Sequence, residues 1–281
     1  MDRIGVIGLG RMGSAMAARF AAKGVPVTGW TRSGRTVAGV AQAPDLASLV
    51  AASDVLVLSL FDDAAVADML DATLAQDVAG KLVAETSTVA PGILKARADA
   101  FAAAGADVVD APISGGPDLV EAGACGIFIG GTPKAASRAQ IAFAPLSTCM
   151  VHVGPLGTGM VMKTVNNAML QTYFAGLVDQ MRVARRAGLP LDTALTVLCG
   201  GPAGVPMVRD RLPKILGQDE TVGFTVAGIG KDNAVFQRVA AELGVDTPTL
   251  RTAEAMIRDA IAAGLGEADA AALIARAYRD A

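Results

Sequence analysis

Up to residue 154, short runs dense in Val, Ile and Leu alternate with Ala-rich stretches of helical period; beyond it only helical patterns remain. "RIGVIG" (3–8), "VPVTGW" (25–30), "DVLVLSL" (54–60), "KLVAET" (81–86) and "ADVVDA" (106–111) read as strands. Several are almost unbroken in apolar residues, as strands covered on both faces must be. Residues 13–24, 66–74 and 92–105 read as the helices between them. Such alternation predicts a parallel sheet with helices on both sides. "CGIFIGG" (125–131) and "CMVHVG" (149–154) are expected to extend it. From Thr158 to Ala187 there is no proline and there are only two glycines, Gly159 and Gly176. That permits a helix of about thirty residues, or about 45 Å, which stops at Gly188-Leu189-Pro190. Further helices follow: one that Asp192 can cap, one with Pro213 inside, a periodic one through "VAGIGKDNAVFQRVAAELG", and two near 249–263 and 267–279. The expected organisation is an α/β domain over 1–155, an interdomain helix over 156–187 and an all-α domain over 188–281.

Composition narrows the function classes. Hydrophobic residues make up 52% of 281 and aromatics only 4%, so the core is built from Ala, Val, Leu and Met. A net charge of −3 without a polybasic run offers no footprint for nucleic acid. No apolar stretch approaches the ~20 residues of a membrane helix, and Met1-Asp2-Arg3 leads into "IGVIG" without the regions of a leader peptide. A cytoplasmic protein is therefore expected. Cys125, Cys149 and Cys199 are odd in number and far apart, fitting neither a disulfide framework nor a zinc site, and are expected to be buried thiols. His152 is the single histidine; it is read as a packed strand residue, and no metal is expected.

"IGVIGLGRMGSAMA" (4–17) carries Gly8, Gly10 and Gly13 as G-x-G-x-x-G, with Leu9, Arg11 and Met12 between them. The motif sits where it has physical meaning, between a strand and a helix. Its glycines allow a tight turn, close approach of backbone to a pyrophosphate, and close helix–strand packing. A dinucleotide is the expected ligand. At the end of the second strand, where a carboxylate would bind an adenine ribose 2′-hydroxyl, stand Thr31, Arg32 and Ser33. A guanidinium flanked by hydroxyls suits a 2′-phosphate, so NADPH is expected over NADH.

Five segments in order, "IGVIGLGRMGSAMA" (4–17), "ETSTVAP" (85–91), "DAPISGG" (110–116), "GPLGTGMVMKTVNN" (154–167) and "KDNAVF" (231–236), resemble the β-hydroxyacid dehydrogenases, whose best-known type is 3-hydroxyisobutyrate dehydrogenase. The resemblance implies an N-terminal Rossmann-type doubly wound sheet, a long interdomain helix and an all-α C-terminal domain. It implies an oxidoreductase that interconverts a small β-hydroxy acid and its semialdehyde or keto acid, NADP-dependent on the reading of Thr31, Arg32 and Ser33. Lys163 would be the general acid/base, and Asn167, four residues on and on the same helix face, would hold substrate or amine. Ser114, Gly115 and Gly116 would hold the substrate's carboxylate. Leu60, Phe61 and Thr88 would line the cofactor, although the family usually has proline at the position of Phe61. For Ser87 and Thr88, capping of the helix near Pro91 is an equal reading. Lys231 would reach toward both cofactor and substrate, in a cleft between the domains.

The chain departs from the family at Pro117-Asp118-Leu119-Val120 and Ala124-Cys125-Gly126, beside the acid-binding loop. A reductase of bulkier or non-acid carbonyls or imines therefore stays open, as does a non-catalytic cofactor-binding scaffold. Imine reductases usually place aspartate or tyrosine where Lys163 stands, which favours a carbonyl/alcohol reaction. The long helix and the Ala-rich C-terminal helices carry more apolar surface than a small domain covers, so a homodimer or homotetramer is expected.

Overall fold

A computed structural model describes residues 1–281. They form two compact units, Met1–Thr164 and Val165–Ala281.

In the first unit the order is β1 (Ile4–Ile7), α1 (Arg11–Ala22), β2 (Val27–Trp30), β3 (Ala41–Gln42), α2 (Leu46–Ala52), β4 (Val55–Leu58), α3 (Asp63–Leu74) and β5 (Leu82–Glu85). Then come α4 (Gly92–Lys95), α5 (Ala98–Ala103), β6 (Asp107–Asp110), β7 (Ile113–Ser114), α6 (Pro117–Ala122), β8 (Gly126–Gly131), α7 (Pro133–Phe143) and β9 (Cys149–Gly154). Six strands lie parallel in the order β3-β2-β1-β4-β5-β6. The chain moves outward from β1 to β3 and then returns to β4 beside β1. That reversal opens a crevice at the carboxyl ends of the strands, where ligands of such sheets bind. β8 runs antiparallel to β6 and β7 and parallel to β9.

The alternation of side chains explains why the central strands are apolar throughout. Along β4, Val55 and Val57 enter one core with Phe20, Met16 and Phe143, while Leu56 and Leu58 enter the other with Leu70 and Phe101. Both faces are covered, so neither can be polar. α1 and α7 seal the first face, through Ala17, Phe20, Ala136 and Ala139. α2 to α5 seal the second, through Leu49, Val66, Leu94 and Phe101.

α8 (Thr158–Arg186) starts in the first unit and continues into the second, where α9 (Leu191–Gly200), α10 (Pro206–Ile215), α11 (Val226–Glu242), α12 (Pro248–Ala260) and α13 (Ala271–Arg279) follow. A π-helical turn, Ile261–Leu265, kinks at Gly264 before α13. The core of this unit gathers Phe174, Leu177, Met181, Leu195 and Ile274. Fully buried Asn233 donates to the Gln171 side chain at 2.7 Å and the Leu250 carbonyl at 3.2 Å, tying α11 to α8 and α12. No helix is long and apolar enough to cross a membrane.

The structure corrects several sequence expectations. Residues 92–105 form two helices: between them Arg97, at φ −111° and ψ −5°, stretches the helical geometry and its N–H bonds three residues back to Leu94 rather than four. Asp192 does not cap α9. Pro190 starts it, and the Asp192 carboxylate takes the Thr193 N–H within the first turn. Only Cys125 is buried; Cys149 is exposed on β9 and Cys199 half-buried near the end of α9. β3, β7, α2, α6 and α7 are additional elements.

Candidate functional site

The glycine turn leaves β1 between two constraints. Gly8 has φ +94°, and a methyl there would strike the Ser59 carbonyl oxygen and come within 2.8 Å of Leu60. A methyl on Gly13 would strike the Gly8 carbonyl oxygen. Those two glycines are needed by the fold itself. Gly10 is different: a methyl there would meet nothing within 4 Å, and its φ of −67° is open to any residue. No side chain caps α1 at Gly10. Open space above an uncapped helix N-terminus fits a dinucleotide's pyrophosphate.

Other expected cofactor residues follow the carboxyl ends of neighbouring strands. Thr31, Arg32 and Ser33 come directly after β2, and Arg32 and Ser33 are exposed. Arg35, which the sequence reading overlooked, donates to the Leu9 carbonyl at 3.4 Å and so brings a second guanidinium to the glycine turn. Leu60 and Phe61 follow β4; Phe61 is exposed. After β5, Ser87 accepts the Leu60 N–H at 2.9 Å and Thr86 donates to the Leu58 carbonyl at 2.6 Å. The Ser87 hydroxyl thus stitches β4 to β5, and α4 carries no side-chain cap, which sets the capping reading of this segment aside. Thr88 is buried beside it.

Lys163 is the only buried lysine of the chain, 7% exposed, and its Nζ donates to the Ile113 carbonyl at 2.7 Å. Ile113 immediately precedes Ser114, so the amine stands at the root of the Ser114-Gly115-Gly116 loop. Gly115 has φ +120°, and Gly116 leads into α6 with Pro117 in its first turn. α8 is held against the sheet by Asp110, whose two carboxylate oxygens accept the Gly157 N–H at 2.6 Å and the Met160 N–H at 2.8 Å. Asp110 therefore caps α8 from another element and offers negative charge to its positive end. A methyl on Gly159 would lie 2.7 Å from the Asp110 carbonyl oxygen, so the close approach needs glycine there.

Beside Asp110, in register on β5, lies Glu85. Burial pushes its carboxyl up to about 8; hydrogen bonds from Ser87 oppose the rise, Asp110 adds to it, and the Lys163 charge pulls it back. Burial also pushes Asp110 up to about 6, against the backbone N–H groups it accepts. Neither carboxyl was singled out from the sequence. The only signal was an acidic residue ending an otherwise apolar strand, in "LVAE" and "VVD".

The first unit thus gathers Lys163 and the Ser114–Gly116 loop, with the glycine turn and the Leu60 and Thr88 segments on the same edge of the sheet. Asn167 lies one turn beyond Lys163 on α8, where its carbonyl oxygen accepts from Asn166 at 2.9 Å. Lys231 lies in the second unit on α11, 3.2 Å from Asp232.

Comparison with known proteins covers nearly the whole chain. Residues 3–154 match the family described as the NAD binding domain of 6-phosphogluconate dehydrogenase. Residues 157–277 match that described as the NAD-binding domain of NADP-dependent 3-hydroxyisobutyrate dehydrogenase. The chain is 29% identical to 2-(hydroxymethyl)glutarate dehydrogenase of Eubacterium barkeri, over 97% of this chain and 93% of the relative. It is 32% identical to 3-hydroxyisobutyrate dehydrogenase of Pseudomonas aeruginosa, over 67% of this chain and 66% of the relative. The solved structure of Mycobacterium tuberculosis 3-hydroxyisobutyrate dehydrogenase with L-serine superposes with a TM-score of 0.87 at 25% identity, covering 98% of each chain.

Proposed function

Because the chain belongs to the β-hydroxyacid dehydrogenase family of NAD(P)-dependent oxidoreductases acting on CH–OH groups, we propose that it interconverts a small β-hydroxy acid and its semialdehyde or keto acid. In this reading Lys163 is the general acid/base and NADPH is preferred over NADH. One observation carries it: the only buried lysine stands at the root of the loop read as the carboxylate cradle.

When bound, the nicotinamide supplies or takes the hydride. The chain's own residues do the rest. In reduction, the carbonyl oxygen becomes an alkoxide-like centre; the Lys163 ammonium donates a hydrogen bond to it and gives it a proton. In oxidation the neutral amine takes the hydroxyl proton. The Ser114 hydroxyl and the N–H groups of Gly115 and Gly116 hold the substrate carboxylate. Asn167 and Lys231 complete the substrate contacts. Gly8 to Gly13 cradle the pyrophosphate, Arg32 with Thr31 and Ser33 takes the 2′-phosphate, and Leu60, Phe61 and Thr88 flank the nicotinamide. The domains are 1–155 and 188–281, joined by the helix 156–187. Exposed Val165, Met169, Val183 and Val197 on α8 and α9 favour a homodimer or homotetramer.

The substrate class is tested by following NADPH absorbance with a panel of small semialdehydes and keto acids, each paired with its methyl ester. The acids are expected to turn over at least tenfold better than their esters. Equal rates would remove the carboxylate cradle from the reading and direct attention to non-acid carbonyls and imines.

A further inference from the structure

Glu85 and Asp110 are used by nothing in the mechanism above, yet they are buried side by side in its midst. Glu85 ends β5 and Asp110 ends β6, directly paired in parallel register. Residues so paired have Cα atoms about 4.8 Å apart and side chains on one face. Two carboxyls this close in a dry site do not both ionise readily.

The surroundings decide which member holds the charge. Asp110 accepts N–H groups with both oxygens at the positive end of α8. Glu85 accepts the Ser87 N–H at 2.6 Å and has no helix end to stabilise an anion. On α8, three residues after the Met160 N–H that Asp110 holds, Lys163 donates its Nζ to the Ile113 carbonyl and acts on Glu85 through its charge. On α4, the Lys95 stem lies against Gly157. On β9, His152 is turned to the Gly131 and Gly154 carbonyls. On α7, Lys134 and Arg138 sit at the opposite end of the strands, bound to Asp107 and to the Gly80 and Asp54 carbonyls. From β4, Leu56 and Leu58 present only hydrocarbon.

We propose that Glu85 and Asp110 form a paired-carboxyl device that sets the proton affinity of the Lys163 amine, with Asp110 as the standing anion and Glu85 as the member that titrates. Glu85 is thus a positioning residue that acts through Lys163. At neutral pH one negative charge balances the buried ammonium. As pH rises and Glu85 ionises, a second charge holds the Lys163 proton more tightly and extends its competence as an acid into the alkaline range. Coupling is reciprocal, so removing either partner moves the other by the same amount and in the opposite sense. The catalytic consequence rests on the reading of Lys163 as acid/base; the electrostatic coupling does not.

The test uses the whole protein labelled with 13C at the glutamate side-chain carboxyl. The chain has six glutamates, and Glu85 is the only one buried, so its signal identifies itself without a substitution. One resonance is expected to titrate several pH units above the other five, and Lys163→Met is expected to raise its midpoint by about one pH unit, a tenfold change in proton affinity. Six midpoints below pH 6, or a Glu85 midpoint indifferent to Lys163→Met, would overturn the proposal. In kinetics, Glu85→Gln is expected to move the alkaline limb of kcat/KM for carbonyl reduction down by about the same amount, and Glu85→Asp to restore it. An unmoved limb in folded Glu85→Gln would also overturn it. If that variant does not fold, the two titrations decide alone. Full turnover by Lys163→Met would sink the acid/base reading while leaving the titrations to judge the coupling.

Discussion

Burying an ammonium is costly, and most lysines keep theirs in water. Lys163 gives that up to stand beside the Ser114 loop, its Nζ on the Ile113 carbonyl. Two glycines of the turn make a sharper contrast at the same scale. Gly13→Ala must push against the Gly8 carbonyl and is expected to lower the melting temperature. Gly10→Ala has room in the protein and is expected to melt like the wild type while binding NADPH at least tenfold more weakly, as isothermal titration would show. Undiminished NADPH binding by Gly10→Ala would move the pyrophosphate elsewhere. Arg32→Asp is expected to raise the KM for NADPH at least tenfold and to leave that for NADH nearly unchanged. Equal losses for both cofactors would reassign Arg32. The glycine turn could be read from its local spacing between strand and helix, and Lys163 was singled out only through its segment's resemblance to the family. Glu85 and Asp110 could not, since an acidic residue at a strand end acquires its meaning only when the register sets another beside it.

At the scale of elements, the start of α8 is the joint on which the first unit's chemistry depends. Asp110 caps it, and Gly130 and Gly159 let it approach: a methyl on Gly130 would strike the Asp110 carboxylate and lie 2.8 Å from the Gly159 nitrogen. Gly159→Ala is expected to cost about 1–3 kcal/mol of stability in urea denaturation, as overpacking does. A midpoint equal to the wild type would contradict this tight contact. The long helix was legible because its pattern runs over many residues, and the five core strands because each is a short run rich in Val, Leu and Ile between glycine-rich or polar breaks. Two-residue β3 and β7 repeat nothing. The start signals of α6 and α7, Gly116-Pro117 and Thr132-Pro133, are present; α6 is too short to show a period, and the buried stripe of α7 is four alanines and one phenylalanine, a weak apolar contrast. Pro117 to Val120 of the divergent segment prove to open α6, and the Arg19 guanidinium on α1 donates to the carbonyls of Glu121, within α6, and of Pro145, each at 2.9 Å. Contacts spanning a hundred residues leave no trace in local sequence.

For the whole molecule, the buried carboxyls give stability a definite pH dependence. A carboxyl whose proton affinity is raised by folding keeps its proton where the unfolded chain has already lost it, so stability falls as pH rises. Asp110 acts from its ordinary 3.8 up to about 6, and Glu85 from 4.5 up to about 8. The melting temperature is expected to decline between pH 5 and 8, and that of Glu85→Gln to decline less, so that the difference between them grows with pH. Parallel curves would contradict the burial of a titrating Glu85. Static light scattering checks the oligomer: a dimer or tetramer is expected, and a monodisperse monomer would refute it. The most direct measurement is NADPH oxidation with a carboxylate-bearing semialdehyde by wild type and Lys163→Met, with NADPH binding measured on both. Loss of at least a hundredfold in kcat with binding retained is the result expected of a general acid. Turnover undiminished in Lys163→Met would contradict the mechanism at its centre.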